Sequence, residues 1–154
     1  MDEVLRSFLT TAGRIVYATL STTDAHRRPR SRIVHPVWEE DGERLVGWVG
    51  SRPSRLKRDS LERSPFASCL YWDPAHDVAV ADCEARWLPP GERALAWERL
   101  SAPAPPMGYD PASIWPDGPE GDDFAAIRLD PWRVQTRGAA AMAAGEPYAV
   151  WRRR

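Results

Sequence analysis

Between Val78 and Trp87 the chain alternates with period two, and one of the two faces is built from small residues only: Ala79, Ala81, Cys83 and Ala85. The opposite face reads Val78, Val80, Asp82, Glu84 and Arg86. A strand of an open sheet more often buries larger aliphatics. Small side chains in succession fit the crowded interior of a closed or nearly closed barrel, where facing walls leave little room. The run predicts one wall of such a barrel, and the remaining chain has to supply the others.

It does so in short pieces. Phe66–Trp72 is rich in strand-forming residues and leads to Val78 through a turn at Asp73-Pro74-Ala75-His76. Residues 14–21 and 30–38 read as further strands joined by a polar turn, and Asp41-Gly42 marks a tight hairpin into residues 45–51. Residues 124–129 and 132–135 complete the set, separated by Asp130-Pro131. The spacing of Val4, Leu5, Phe8 and Leu9 predicts an opening helix over residues 3–12, with Gly13 as its stop. Shorter helices are expected over residues 54–63, ended by Pro65, and over residues 92–101, where Ala96, Trp97 and Leu100 share a stripe. The expected fold is mainly β: a six- to seven-stranded antiparallel barrel with two or three short helices in its connections.

A chain of 154 residues suits one domain with one core. Residues 1–137 are expected to form it, and residues 138–154 a tail that docks on the body or on a second subunit. Residues 102–123 mix six prolines with Met107, Tyr109, Ile114 and Trp115 at no usable period. Such a stretch is too apolar for a linker and too rich in proline for a helix or strand, so it is expected to be an ordered loop over a pocket mouth, a partner surface or its own body. The formal net charge of -1 argues against a general binder of nucleic acid or membranes, despite the basic cluster from His26 to Arg32. No stretch approaches the ~20 apolar residues of a spanning helix, and a soluble cytoplasmic protein is expected. Cys69 and Cys83 come out offset across their hairpin, as free thiols, and with no Cys-x-x-Cys spacing and scattered histidines no metal centre is expected.

The candidate site lies in residues 30–58. Alternation puts Arg30, Arg32 and Val34 on one face of their strand and Ser31, Ile33, His35 and Val37 on the other. Ser51 ends the next strand, and Pro53-Ser54 opens the short helix that carries Arg55, Lys57 and Arg58. Two guanidinium groups on one strand, hydroxyls at Ser51 and Ser54, and a helix N-terminus with cations are all donors to an anion, which is what a phosphate monoester requires. Of 21 basic residues Lys57 is the single lysine, a compact charge suited to one phosphate oxygen where arginine forks across two.

These residues resemble the pyridoxamine 5'-phosphate oxidase-like family, which uses the split barrel that binds flavin mononucleotide (FMN). The resemblance is carried by Tyr17-Ala18-Thr19-Leu20-Ser21-Thr22, by Arg30-Ser31-Arg32-Ile33-Val34-His35-Pro36, and by Ser51 followed by Arg55 and Lys57; it runs more loosely through Arg128-Leu129-Asp130-Pro131-Trp132-Arg133-Val134 and spans residues 5–137. It implies a homodimer with flavins at the subunit interface. It further implies that Arg30 and Arg32 face the flavin phosphate and ring edge, that the main chain of Ile33, Val34 and His35 runs along the isoalloxazine, and that Ser51, Ser54, Arg55 and Lys57 hold the phosphate. The implied activity is hydride or electron transfer to a small-molecule substrate, with catalytic residues unassigned. Residues 132–137 lack the histidine of the family's Arg-aliphatic-His-acid-Arg segment, so oxidation of vitamin B6 is not expected.

The family also contains reductases that use the deazaflavin F420, whose polyanionic tail Arg27, Arg28 and Arg52 could meet, and a flavin binder without turnover is a further alternative. Among the eight tryptophans, Trp72 and Trp115 are the candidates for a substrate pocket, the first ending a strand beside a turn and the second in the proline-rich loop. His35 is read either as a core or interface histidine or as a proton donor beside the flavin.

Overall fold

The computed structural model describes residues 1–153, with the side chains of Leu56 and Lys57 outside the described set. Helix α1 (Glu3–Ile15) is followed by strands β1 (Ala18–Thr23), β2 (Pro29–Val34), β3 (Val37–Asp41) and β4 (Arg44–Ser51). Helix α2 (Arg55–Arg63) leads to the hairpin of β5 (Phe66–Trp72) and β6 (Val78–Trp87). Helix α3 (Arg93–Ser101), the long strand β7 (Ala125–Arg137), helix α4 (Ala139–Ala143) and β8 (Ala149–Arg152) complete the chain. The strands form one antiparallel sheet in the order β2-β1-β5-β6-β7-β4-β3, with β8 added to β7. β2 and β3 are consecutive in the chain, yet they are the two ends of this order and do not pair, so the barrel is split between them.

The small-residue face of β6 lines the interior. Ala79, Ala81 and Cys83 are fully buried, opposite Tyr71, Cys69 and Ala67 of β5. One end of the barrel is filled by α1, whose Leu5 and Phe8 are inaccessible to solvent. Phe8 meets Trp38 edge to face at 5.0 Å and Tyr71 at 5.8 Å, and Trp38 Nε1 donates to the Tyr71 hydroxyl at 2.7 Å. The half-buried indole N–H is thus satisfied by the buried phenol oxygen. A second, smaller core lies on the outer side of β4 and β7, where Val46, Trp48 and Ala126 are covered by Ala96 and Leu100 of α3 and by Trp115 and Phe124.

The mainly β split barrel agrees with the expectation, and its details differ in instructive ways. The chain from residue 30 to 38 is two strands, because His35-Pro36 carries it from one edge of the split to the other. Conversely, Pro131 does not divide the last strand. It sits where the register with β6 shifts between Asp82 and Cys83, a bulge that tolerates a residue without an N–H. The tail adds β8, giving eight strands. Helix α1 runs through Gly13 to Ile15 and is terminated by Val16 at φ +71°, whose N–H bonds to the Ala12 carbonyl at 2.7 Å. Gly13 has another role: a Cβ there would stand 3.0 Å from the sulfur of Met107. The last turn of α1 is tied to the β5–β6 turn by Arg14, which bonds to Asp73 and, at 2.7 Å, to Asp77.

Candidate functional site

A cleft of about 520 Å³ opens at the split, bounded by β1 and β2, by the end of β4 and by the proline-rich segment. Each wall follows from the register. In β1, Leu20 faces the interior and pairs with Arg32, and Thr22 pairs with Arg30, so the two arginines of β2 share the inward face as their alternation requires. On the far side β4 extends beyond the end of β3, whose last pairing in that direction is Val37 with Trp48, and presents Val49, Gly50 and Ser51 to the cleft. The third wall is Tyr109, Ser113, Ile114 and Trp115.

The proline-rich segment is held against the barrel at several points. The Tyr109 N–H bonds to the Leu100 carbonyl at 3.0 Å. His35 Nε2 lies 2.9 Å from the Met107 carbonyl oxygen; a carbonyl only accepts, so Nε2 carries a proton and donates it. The His35 ring sits between Tyr109, at 4.6 Å, and Tyr17, at 5.3 Å. Gly50 permits the closest approach: a Cβ there would be 2.8 Å from both the Tyr109 hydroxyl and the edge of the Trp115 ring. Burial pushes the Tyr109 phenol up to about 12, against the opposing effect of the Gly50 N–H, so it is a proton donor rather than a base at neutral pH.

The electrostatics of the cleft are one-sided. Arg32 is half-buried, its Nη2 donates to Thr22 Oγ1 at 3.1 Å, and among the described residues no carboxylate pairs with it. Desolvation, and then the neighbouring Arg30, lower its pKa from the ordinary arginine value. Arg52, the other cation of the lining, reaches Asp123 at 2.8 Å on the exposed side. The lining includes no Asp or Glu. A cleft whose lining charges among the described residues are cationic, Arg32 being partly desolvated, favours a bound anion, and a phosphate group fits that donor set.

Of the residues singled out in the sequence, Arg32, Ile33, Val34, His35, Ser51 and Trp115 line this cleft. Arg30 stands next to them but turns to Asp24, with Nε 3.4 Å from its carboxylate. Ser54 is the N-cap residue of α2 without a side-chain capping bond, and Arg55 is exposed, 3.9 Å from Asp59. Lys57 lies outside the described residues. Trp72 is not part of the cleft; it ends β5 with 54% of its surface exposed, beside His76. Tyr17, Gly50, Arg52, Tyr109, Ser113 and Ile114 were not singled out as lining. Tyr17 stood within the quoted strand motif, whereas Tyr109 belongs to a stretch without period. The two cysteines are buried in the barrel wall, where desolvation raises both thiols, Cys69 to about 12, and removes them from nucleophilic chemistry.

No family model and no curated protein matches the sequence. Solved structures do. A protein related to general stress protein 26, of the pyridoxinephosphate oxidase family, from Clostridium acetobutylicum superposes with a TM-score of 0.73 at 12% identity, over 99% of this chain and 96% of that one. A pyridoxamine 5'-phosphate oxidase-related, FMN-binding protein from Nostoc punctiforme gives 0.67 at 13% identity, over 100% and 98%. The heme storage protein of Vibrio cholerae gives 0.58 at 20% identity, over 82% and 87%. At such identities the likeness is one of fold. The chain has the split-barrel fold of pyridoxamine 5'-phosphate oxidase-like proteins, as its β1–β2 motif implied.

Proposed function

We propose that the chain binds FMN in this cleft and acts, as a homodimer, as an oxidoreductase on a small molecule. The observation that carries the proposal is Arg32, a half-buried cation without a carboxylate partner in a cleft lined by no acid. FMN, when bound, supplies the hydride chemistry. The chain's residues bind and orient it: Arg32 and the hydroxyls of Ser51 and Ser54, at the entry to α2, offer donors to its phosphate. Leu20, Val49, Ile127 and Trp115 give the cleft an apolar lining that excludes water from a flat ring system.

The homodimer is supported by the outer face of the barrel. Ile33, Leu70 and Trp72 are 68%, 40% and 54% exposed there, on the side of β2 and β5 opposite to the interior. The register aligns Ile33 with Thr19, Thr19 with Leu70 and Leu70 with Val80, a continuous row across four strands. Such a row is of the kind that a second copy covers.

The test is the visible absorption spectrum of the purified chain after incubation with FMN and removal of the excess by gel filtration. Retained yellow flavin is expected, eluting with a dimer, and Arg32→Ala should weaken binding by about 30-fold or more, the loss of a charge-assisted hydrogen bond of ~2–3 kcal/mol. A chain that retains F420 and not FMN would change the cofactor, and one that retains neither would overturn the proposal.

A further inference from the structure

The flavin reading accounts for Arg32 and Ser51 by the phosphate and for the apolar lining by the ring, and leaves the Tyr109 hydroxyl without a task. That hydroxyl lies over Gly50 beside the Trp115 ring edge, and among the described residues no group accepts its proton. Its surroundings are largely apolar and aromatic: Trp115 and Ile114 on its own segment, Val49 and Ile127 from the barrel, and the tilted rings of His35 and Tyr17. Among the described residues no carboxylate lines the cleft, whereas Arg32 and Arg52 do, so an ammonium group entering it meets like charges in exchange for its hydration. An oxygen acceptor on a flat ring meets both conditions, since it gives the phenol a partner and matches the walls.

We infer that the Tyr109 side of the cleft takes a flat aromatic carbonyl compound, with Tyr109 as the specificity-determining donor to its oxygen, and that amines of the same shape are excluded. The inference deepens the flavin reading by naming the class of substrate, and it rests on that reading for the word substrate. Binding itself does not depend on the cofactor being present.

The experiment uses three neutral or charged naphthalenes of similar size, titrated calorimetrically into the full chain with and without FMN: acetylnaphthalene, ethylnaphthalene, which lacks the oxygen, and naphthylmethylamine. The ketone is expected to bind best and the amine worst. Tyr109→Phe should weaken the ketone by about tenfold, the worth of one neutral hydrogen bond, while leaving the affinity for the hydrocarbon unchanged. An unchanged ketone affinity, an equal loss for ketone and hydrocarbon, or absence of ketone binding each overturns the inference. Failure of wild-type FMN retention with the ketone effect intact would instead count against the flavin reading alone, leaving Tyr109 as the donor of a ligand site.

Discussion

The β5–β6 hairpin and the segment 102–123 are both walls, one of the barrel and one of the cleft, and they are held in opposite ways. In the hairpin every second residue is buried, β6 is paired on both sides and β5 along its length with β6 and at Ser68, Cys69 and Leu70 with β1, so position is set by neighbours in the ladder. In the segment, position depends on a few separated contacts: His35 on the Met107 carbonyl, Tyr109 on the Leu100 carbonyl, and Trp115 against Phe124 at 5.1 Å. The first kind of wall is redundant and is disturbed only by changes of volume. The second depends on places where a side chain is missing, which makes its response to substitution local and its sign specific to each place.

The largest effect is expected in the core that packs against the redundant wall. Phe8 is fully buried between Trp38 and Tyr71, and Phe8→Ala would leave a cavity where α1 fills the barrel. A loss of about 3–5 kcal/mol is expected in denaturant unfolding. A loss below ~1 kcal/mol would mean that the barrel interior can relax around the vacancy, and the contrast between the two walls would fail.

Gly50→Ala probes the other wall. Its Cβ would meet the Tyr109 hydroxyl and the Trp115 edge at 2.8 Å, contacts that only displacement of the segment can relieve. A moderate destabilisation of about 1–3 kcal/mol is expected, together with red-shifted tryptophan emission as Trp115 gains water, and a weaker grip on ligands of the cleft. Full wild-type ligand affinity in this variant would show that Tyr109 and Trp115 do not shape the cleft.

The same contrast explains what was legible in the sequence. The small face of β6, the arginine alternation of β2 and the Asp41-Gly42 hairpin are periodic or local signals, and each gave the right element because a strand's period fixes the side to which a residue points. Arg32, His35 and Ser51 line one cleft, although the alternation set His35 on the face opposite to Arg32. The errors fall where the tertiary structure overrides a local rule: Gly13 within α1, Pro131 at a bulge, and the break at His35-Pro36 that turns one run into two edges. Trp72 was singled out for the pocket by its neighbourhood to a turn, but its side of β5 is the outer face. Tyr109 could not be found, since the segment has no period and its partners, Gly50 and His35, are far away in the chain.

Gly13→Ala separates the two glycine contacts and is expected to have the smallest effect, with the opposite sign. Gly13 is inside α1, where alanine is favoured over glycine by roughly 0.5–1 kcal/mol because the unfolded chain loses freedom and the helix gains a good former. The opposing contact is 3.0 Å to the sulfur of Met107, the flexible part of a side chain that is 48% exposed and can swing away, whereas the groups over Gly50 are the edge of a buried indole and a phenol held by its stack. A gain of a few tenths to ~1 kcal/mol in denaturant unfolding is therefore expected, with cleft affinity unchanged. A loss of stability would show that Met107 cannot yield, and a simultaneous loss of ligand affinity would show why: Met107 also holds His35 through its carbonyl, so displacing its side chain would reach the cleft through the backbone.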